Sequence, residues 1–544
     1  MVKTMRSRIS LNFDWYYTIF KDSYINDYKT IDKFTKIDIP HNMVKLNYNY
    51  NNKFDQQVIG LYRKIIYIGE EYKGKILRLI FGGVAHKAQI FLNGNYVTSH
   101  YGGYDEFVVD ISDFVNYGED NYLSVVVSAK EDENIPPFGR TYEFLACGGI
   151  YREVYLEILN KVHIKETYLH LKDLNNKNIA LGIYLTNNEG LIRLSLKKDE
   201  FVFEKEFEVT DYVNNYTFAF PEVEIWDLDT PSLYEVTFAY FFNNELVDKL
   251  TYKTGFRVIT VKKNQLFLNA KPIKLIGLNR SQAYPYVGYA MPKSVQEKDA
   301  EILKYELDVN IVRTIIPSRH FLDKCDEIGL LVFSELPGWN YLGKEEFKNN
   351  LLNTLSTMIK RDYHHPAIIM WSVRIPNSLD SNFYIETNRL AKRLDSSRPT
   401  TGARYFIYSK FYEDIYAYNE YLDSKFKFLN SPKIFKNIPF LISEHTGYLY
   451  PAKIFDNEKI LINHALRHYK MLENTFKSKS LLGTIGNSFT DYNTTNGFGA
   501  DDNIAYYGVM DMFRLPKYAA VIYKLIKHDK PFMEILSTLK SGEY

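Results

Sequence analysis

Apolar and polar residues alternate along the first half of the chain, as they do in strands that bury one face. Between residues 75 and 100 this alternation runs through two segments joined by Asn93-Gly94, a dipeptide typical of tight hairpin turns. Similar short segments, separated by turns, continue to about residue 256. The pattern therefore predicts two successive β-sandwiches, over residues 1–158 and 159–256.

The pattern changes near residue 257. Short apolar segments then alternate with stretches of helical period, such as 294–308 and 347–362. Strand–helix alternation sustained over about 290 residues is typical of a (β/α)8 TIM barrel, so residues 257–544 are predicted to form one. Because the chemistry of such barrels lies where strands end and loops begin, candidate residues are sought at the predicted strand ends.

Composition narrows the class of protein. The 544 residues carry 67 Lys+Arg against 66 Asp+Glu, a net charge of +1, which argues against nucleic-acid or membrane partners. Two cysteines, Cys147 and Cys325, exclude a disulfide scaffold and a cysteine-based zinc module. No apolar stretch fits a secretory signal or a membrane span, so a cytoplasmic protein is expected, with an exported chain lacking its signal as the alternative.

No metal or cofactor is expected from the sequence. The adjacent pair His364-His365 lies at a predicted turn, where neighbouring side chains diverge, and no third ligand is spaced nearby. Aromatic residues make up 16% of the chain but are weighted to Tyr and Phe, which strand propensity explains.

Motifs spread over all three predicted domains point to one enzyme family. They include FLNG (91–94), GGIYREV (148–154), WDLDTPSLYEVTF (226–238), MIKRDYHHPAIIMWSVR (358–374) and LISEHTG (441–447). In this order they resemble glycoside hydrolase family 2, the family of β-galactosidases, β-glucuronidases and β-mannosidases. The resemblance covers nearly the whole chain. It implies a jelly-roll sugar-binding domain, an immunoglobulin-like sandwich and a catalytic-type TIM barrel.

The resemblance implies retaining hydrolysis of β-glycosidic bonds, which needs two carboxyl groups roughly 5–5.5 Å apart. The nucleophile position of the family matches Glu444, at the end of a predicted strand. The acid/base Glu of the family aligns with Asn377, and the Asn before it aligns with Pro376. Because a carboxamide has no titratable proton, the general acid and base is predicted to be missing.

Further departures from the family fall on the same predicted face. Ser281 stands where the family usually has His, residues 315–317 form a shortened segment without its sugar-contacting His, and Asn487 stands near the family's sugar-stacking Trp. All four tryptophans are expected to lie outside that stacking position. Clustered changes with intact framework motifs are typical of a site released or redirected from its ancestral chemistry.

Other candidate residues are expected, by the same resemblance, to reach the sugar. They are Asn279, Arg280, Glu335, Trp371, Arg374, Tyr418, Asn419 and Asp491, with Tyr421 beside them. Glu335, Asp491 or Asp380 is a possible replacement for the missing acid, although pairing with arginine is the commoner role of carboxyls at a barrel mouth.

Two functions remain open at this level. One is a β-galactosidase-like retaining glycosidase with Glu444 as nucleophile and with impaired or altered turnover. The alternative is a non-catalytic relative that binds carbohydrate or has a structural role. In either case the expected ligand is a β-glycoside, and a homo-oligomer is expected only by analogy with the family. The sequence does not determine which sugar is bound.

Overall fold

The computed structural model describes residues 5–20, 34–139, 142–421, 438–495 and 501–525. The first domain is a jelly-roll sandwich of two large antiparallel sheets, ordered β1-β12-β5-β9 and β3-β2-β4-β10-β7-β8, with β6 and β11 paired beside them. Its strands are β1 Ser7–Ser10, β2 Trp15–Phe20, β3 Thr35–Ile37, β4 Ile59–Ile68, β5 Ile76–Phe81, β6 Val84–Ala85, β7 Lys87–Leu92, β8 Asn95–Tyr101, β9 Phe107–Asp110, β10 Glu119–Ser128, β11 Gly149–Ile150 and β12 Val154–Leu159.

Alternation along these strands builds the core of the first sandwich. Leu123, Val125 and Val127 of β10 are fully buried between the sheets, as the period of two requires. The predicted hairpin is formed by β7 and β8, and its turn residues Asn93 and Gly94 both have positive φ, 52° and 81°. That conformation explains the Asn-Gly pair, since both residue types tolerate it.

The second domain is an immunoglobulin-like sandwich of seven strands. Its two sheets are ordered β13-β14-β17 and β16-β15-β18-β19 and enclose a separate apolar core. Its strands are β13 Ile164–Leu171, β14 Asn178–Leu185, β15 Gly190–Lys198, β16 Phe201–Val209, β17 Val213–Ala219, β18 Tyr234–Phe242 and β19 Glu245–Thr254.

The third domain is an eight-stranded parallel barrel, preceded by a small antiparallel sheet of β20 Ile259–Lys262, β21 Gln265–Leu268 and β22 Lys271–Ile273. The barrel order is β27-β26-β25-β24-β23-β30-β29-β28, and backbone bonds from Ile415 to Thr400 and from Asn419 to Arg404 join its two ends. Its strands are β23 Leu275–Asn279, β24 Ile311–Ile315, β25 Leu331–Glu335, β26 Ile368–Ser372, β27 Thr400–Thr401, β28 Tyr416–Glu420, β29 Phe440–His445 and β30 Leu481–Gly486. A short ribbon of β31 Tyr492–Asn493 and β32 Ile504–Ala505 follows.

Helices cover the outside of the barrel. They are α1 Lys293–Glu301, α2 Arg319–Ile328, α3 Glu345–Asp362, α4 Ser381–Leu394, α5 Glu458–Lys477 and α6 Tyr518–Leu525. The predicted helix over 294–308 is α1 continued by a π-helical turn, Ile302–Glu306. The residues at both ends of α2 favour a helix boundary there. The Ser318 hydroxyl accepts from the Phe321 amide at the start of the helix, and Gly329 ends the helix with a φ of 70°.

Buried arginines tie the domains together. Arg257, at the end of the second sandwich, donates to the carbonyls of Pro366 and Ile368 before and within β26. Arg152, from the first sandwich, donates to the carbonyl of Ile316 beyond β24. The first sandwich is thereby fixed over the C-terminal ends of the barrel strands. Within the described ranges, no helix has the length and apolar character needed to cross a bilayer.

Candidate active site

A cavity opens at the C-terminal ends of the barrel strands, under the first sandwich. Such strand ends are where TIM barrels bind ligands. Both domains form its wall. The residues that matter below are Glu143 and Arg152 from the first sandwich and Asn279, Arg280, Arg313, Glu335, Trp339, Pro376, Glu444 and Asn487 from the barrel.

Glu444 lies at the end of β29 and is 6% exposed. Arg313 Nη1 donates to its Oε2 at 2.9 Å, and Asn419 Nδ2 donates to the same oxygen at 3.2 Å. Oε1 accepts from the Tyr421 hydroxyl and, at 2.9 Å, from Asn487 Nδ2. Four donors, one of them a cation, satisfy the hydrogen-bonding capacity of a buried carboxylate and offset the cost of burying its charge. An anionic carboxylate at a cavity wall is equipped to act as a nucleophile.

Arg313 is shared between two carboxylates. Besides Glu444, it binds Glu335 bidentately, with Nε to Oε2 at 2.9 Å and Nη2 to Oε1 at 2.7 Å. Burial opposes the charge of Arg313, but the two carboxylates together raise its pKa. Burial raises the pKa of the Glu335 carboxyl, whereas the charge and hydrogen bonds of Arg313 lower it. Both oxygens of Glu335 are thus engaged in orienting Arg313 towards Glu444.

The end of β26 brings no carboxyl to the described part of the cavity. Pro376 lines the wall there, whereas Asn377, the residue predicted at the acid/base position, is not among the lining residues and has a left-handed backbone, φ 60°. Proline has neither a titratable proton nor a side-chain hydrogen-bond donor. The wall at this strand end therefore has no group that transfers a proton.

Three of the predicted sugar-contacting residues, Asn279, Arg280 and Glu335, line the cavity. Asn279 Oδ1 is buried and has no hydrogen-bond partner in the described part of the chain, so it is available to a ligand. Arg280 is held from behind, by Asp299 Oδ2 at 3.0 Å and Gln296 Oε1 at 3.0 Å.

Of the other predicted residues, Asn419 and Tyr421 contact Glu444 without lining the cavity. The remaining four do not line it either: Trp371, Arg374, Tyr418 and Asp491. Each is buried, because a strand-end side chain that points away from the mouth packs into the interior. Trp371 Nε1 donates to Asp395 at 2.8 Å, and Arg374 Nε donates to Glu413 at 2.8 Å. Tyr418 packs on Phe440.

The two remaining alternatives for the missing acid are also engaged elsewhere. Asp380 caps the start of α4 by accepting from the Phe383 amide, and pairs with Lys348 at 3.0 Å. Burial raises the pKa of Asp491 to about 7, although Lys517 pairs with it at 2.6 Å. Both carboxyls hold the fold together outside the cavity.

Comparison with known proteins decides the family. Profiles described as "Glycosyl hydrolases family 2, sugar binding domain", "Glycosyl hydrolases family 2" and "Glycosyl hydrolases family 2, TIM barrel domain" match residues 24–160, 162–257 and 259–529. A β-galactosidase of Thermoanaerobacterium thermosulfurigenes is 41% identical over 99% of this chain and 79% of its own length. The chain belongs to glycoside hydrolase family 2.

Other family 2 proteins support the same placement. A β-galactosidase of Thermoanaerobacter pseudethanolicus is 39% identical over 95% of this chain and 72% of its own length. The crystal structure of the FMN-binding β-glucuronidase from Facaelibacterium prausnitzii L2-6 superposes with a TM-score of 0.84 at 22% identity, covering 97% of this chain and 87% of that one. A Ruminococcus gnavus β-glucuronidase in complex with D-glucuronic acid gives 0.82 at 21% identity, covering 96% and 98%. The solved structures establish the three-domain fold.

Sequence reasoning missed two residues of this family 2 site. Trp339 lines the cavity from the segment after β25, a place that differs from the stacking position considered in the sequence. Glu143 lines the same cavity from the first sandwich. Glu143 lies five positions before the GGIYREV motif at 148–154, but chemistry was sought only at barrel strand ends. That proximity to a family motif was the available signal.

Proposed function

We propose that this chain is a retaining β-glycosidase of β-galactosidase type, with Glu444 as the nucleophile. The observation that carries the proposal is the set of four donors around Glu444, centred on the buried cation Arg313. They favour the ionised carboxylate, which attacks the anomeric carbon to form a glycosyl-enzyme. The full-length similarity to a β-galactosidase gives the sugar class.

The charges in the cavity favour a neutral sugar over a uronate. Among the described lining residues the cations are Arg152, Arg280 and Arg313. Arg280 and Arg313 are paired with acidic side chains, and Arg152 donates to backbone carbonyls. A ligand carboxylate would have to compete with these partners and would meet the carboxyls of the wall, and among the three guanidiniums only Arg280 Nη1 has no partner in the described part of the chain. Trp339 offers an aromatic surface for the apolar face of a sugar.

Hydrolysis of a panel of p-nitrophenyl β-glycosides tests the proposal. We expect the galactoside to be cleaved with the highest kcat/KM and the glucuronide to be the poorest substrate. Glu444→Gln is expected to abolish turnover, because the carboxamide is a far weaker nucleophile than a carboxylate. Glu346→Gln, an exposed glutamate on α3, is the matched control and should leave the rates unchanged. Equal rates for wild type and Glu444→Gln on every sugar would sink the proposal.

A second candidate function is carbohydrate binding without turnover. The observation that favours it is Pro376 at the end of β26, where no proton donor stands. Isothermal titration of wild type with methyl β-galactoside separates the two candidates. Binding of the glycoside with no hydrolysis of any aryl glycoside supports the binding function, whereas measurable turnover lost in Glu444→Gln supports the enzyme.

A further inference from the structure

Trp339 lies beside Pro376 at the end of β26. The Asn340 amide donates to the Pro376 carbonyl at 3.1 Å, which ties the segment after β25 to the segment after β26. Gly338 allows this close approach, because a Cβ at that position would lie 2.5 Å from the Ile375 Cδ1. Both Trp339 and Pro376 line the cavity. The indole is therefore held next to the strand end at which the general acid of the family was expected.

Phe144 extends the same surface from the first sandwich. Its side chain and that of Trp339 pack against one apolar cluster, which consists of Ile135, Phe138, Tyr142 and Ala146. The ring centroid of Phe144 lies 5.2 Å from that of Tyr142, and a backbone bridge to Thr494 holds Phe144 against the residues after β31. Phe144 also lines the cavity. Phe144, Trp339 and Pro376 together are called the aromatic wall below.

The aromatic wall stands where the leaving group of a glycoside departs. In a retaining glycosidase the general acid lies next to the oxygen of the leaving group, so the end of β26 marks the place of that oxygen. The three side chains of the wall have no titratable proton to give to it. An alkoxide needs such a proton, and the loss of this help costs about 10²- to 10⁴-fold in rate. An acidic phenol does not need one, because its anion spreads the charge over the ring.

We propose that the preferred substrates of this site are aryl β-glycosides with an acidic phenol as leaving group, and that the aromatic wall binds the aryl ring. The inference rests on the proposed function, with Glu444 as the nucleophile, and adds the class of leaving group to it. Packing of an aryl ring on Trp339 and Phe144 supplies affinity that a second, hydrophilic sugar lacks. The indole surface that suits the apolar face of a sugar suits an aryl ring equally well, and its place at the end of β26 assigns it to the leaving group.

Both steps of the reaction balance without a general acid. In the first, a Glu444 oxygen bonds to the anomeric carbon, the bond from that carbon to the phenolic oxygen breaks, and its electron pair leaves with the phenolate. In the second, a water oxygen bonds to the anomeric carbon, the bond to Glu444 breaks, and its electron pair returns to the carboxylate. The proton that the water loses passes to solvent, and the released phenolate takes up a proton from solvent according to the pH.

A series of β-galactosides tests the leaving group in the wild-type protein. From 2,4-dinitrophenyl through 4-nitrophenyl to phenyl β-galactoside, kcat/KM should fall by about 10²-fold or more, because a less acidic phenol departs less readily without a proton. Lactose, whose leaving group is a second sugar, should be poorer still. A change of less than about tenfold across the aryl series, or a higher kcat/KM for lactose than for the phenyl glycoside, would overturn the inference.

Two variants test the aromatic wall. Trp339→Leu and Phe144→Leu should each lower kcat/KM for 4-nitrophenyl β-galactoside about tenfold, because ring contacts are lost. The inhibition constant of galactose, which has no aryl group, should stay at the wild-type value. Phe54→Leu changes an exposed phenylalanine of the first sandwich that does not line the cavity, and it should alter neither quantity. A loss of galactose affinity equal to the loss of aryl turnover would overturn the inference, because the wall would then hold the sugar.

The outcomes separate this inference from the proposed function. If no aryl β-galactoside is hydrolysed, or if Glu444→Gln hydrolyses them at the wild-type rate, the proposed function fails and the inference falls with it. If Glu444→Gln abolishes turnover while wild-type kcat/KM does not depend on the phenol, the nucleophile stands and the inference alone fails. Thermal unfolding checks that Trp339→Leu and Phe144→Leu remain folded, and the wild-type series decides the inference even where a variant does not fold.

Discussion

The ends of two barrel strands, β29 and β26, present different groups to one cavity. At the end of β29, Glu444 keeps a full set of donors, including Arg313 from β24. At the end of β26, Pro376 faces the cavity and no carboxyl is present in the described wall. The two strand ends therefore place different structural constraints on their side chains.

The constraints differ because the two strand ends are built differently. Arg313 bridges Glu444 and Glu335, so losing Glu444 would leave a buried cation with one fewer counter-charge. A carboxyl at the acid/base position near β26 would have no such counter-ion role. The buried arginine there, Arg374, already pairs with Glu413. The packing at the end of β26 therefore does not depend on a carboxyl at the cavity wall.

Returning a carboxyl to β26 should produce the largest effect. Pro376→Glu should raise kcat/KM for methyl β-galactoside by 10²-fold or more, because it places a general acid at this strand end. Asn377→Glu is the matched control and should have little effect, since Asn377 does not line the cavity. Kinetics on methyl and dinitrophenyl β-galactosides measure the difference. Recovery by Asn377→Glu but not by Pro376→Glu would contradict the geometry described here for β26.

The same positions show which part of the site the sequence predicts and which part needs the three-dimensional structure. Glu444 was predictable, because a strand of apolar residues ends in it and the family motif surrounds it. Pro376 and Asn377 are neighbours in a turn, where Pro376 lines the cavity and Asn377, which has a left-handed backbone, does not. The same sensitivity explains Trp371 and Arg374, which lie in or just after β26 but point into the core.

Glu143 lay beyond the reach of sequence patterns for a different reason. Roughly 300 positions separate it from Glu444, and only the packing of the first sandwich over the barrel brings them to one cavity. The fold class, in contrast, followed from alternation and strand–helix order, because most barrel strands are short buried segments rich in apolar residues. Local patterns thus fixed the scaffold and one carboxyl, while the second depended on a contact between domains.

A stability measurement tests the structural role of the buried ion pair that follows β26. Glu413→Gln should reduce the free energy of unfolding by about 3–5 kcal/mol, because Arg374 and Arg404 would keep their buried charges without a counter-ion. The exposed pair of Glu206 with Arg193 is the matched control, and Glu206→Gln should cost at most about 1 kcal/mol. Urea unfolding provides the values. Similar losses for the two variants would show that the β26 pair is not the structural element inferred here.

Lowering the pH should destabilise the fold around β29, by a smaller amount than the loss of the buried ion pair near β26. Behind Glu444, His445 and His464 both contact His468, with ring centroids 5.4 and 4.9 Å apart, and all three are buried. Burial lowers the pKa of His468 to about 3 and holds the other two well below their usual value. Below pH 6.5 the unfolded chain therefore binds protons that the folded chain excludes, so stability falls as pH falls.

Between pH 7.5 and 5.5 each such histidine should cost about 1.4 kcal/mol of stability, which is one pKa unit of linkage. His468→Gln should remove one of these contributions and flatten the pH dependence of urea unfolding by that amount. His320 provides a control of opposite sign: Glu153 raises its pKa, so its contribution is present at low pH and is lost as pH rises through the folded pKa. His320→Gln should accordingly steepen the loss in acid. If His468→Gln leaves the slope unchanged, these imidazoles are not what makes the β29 side acid-sensitive, and the contrast between β29 and β26 rests on Glu444 and its donors alone.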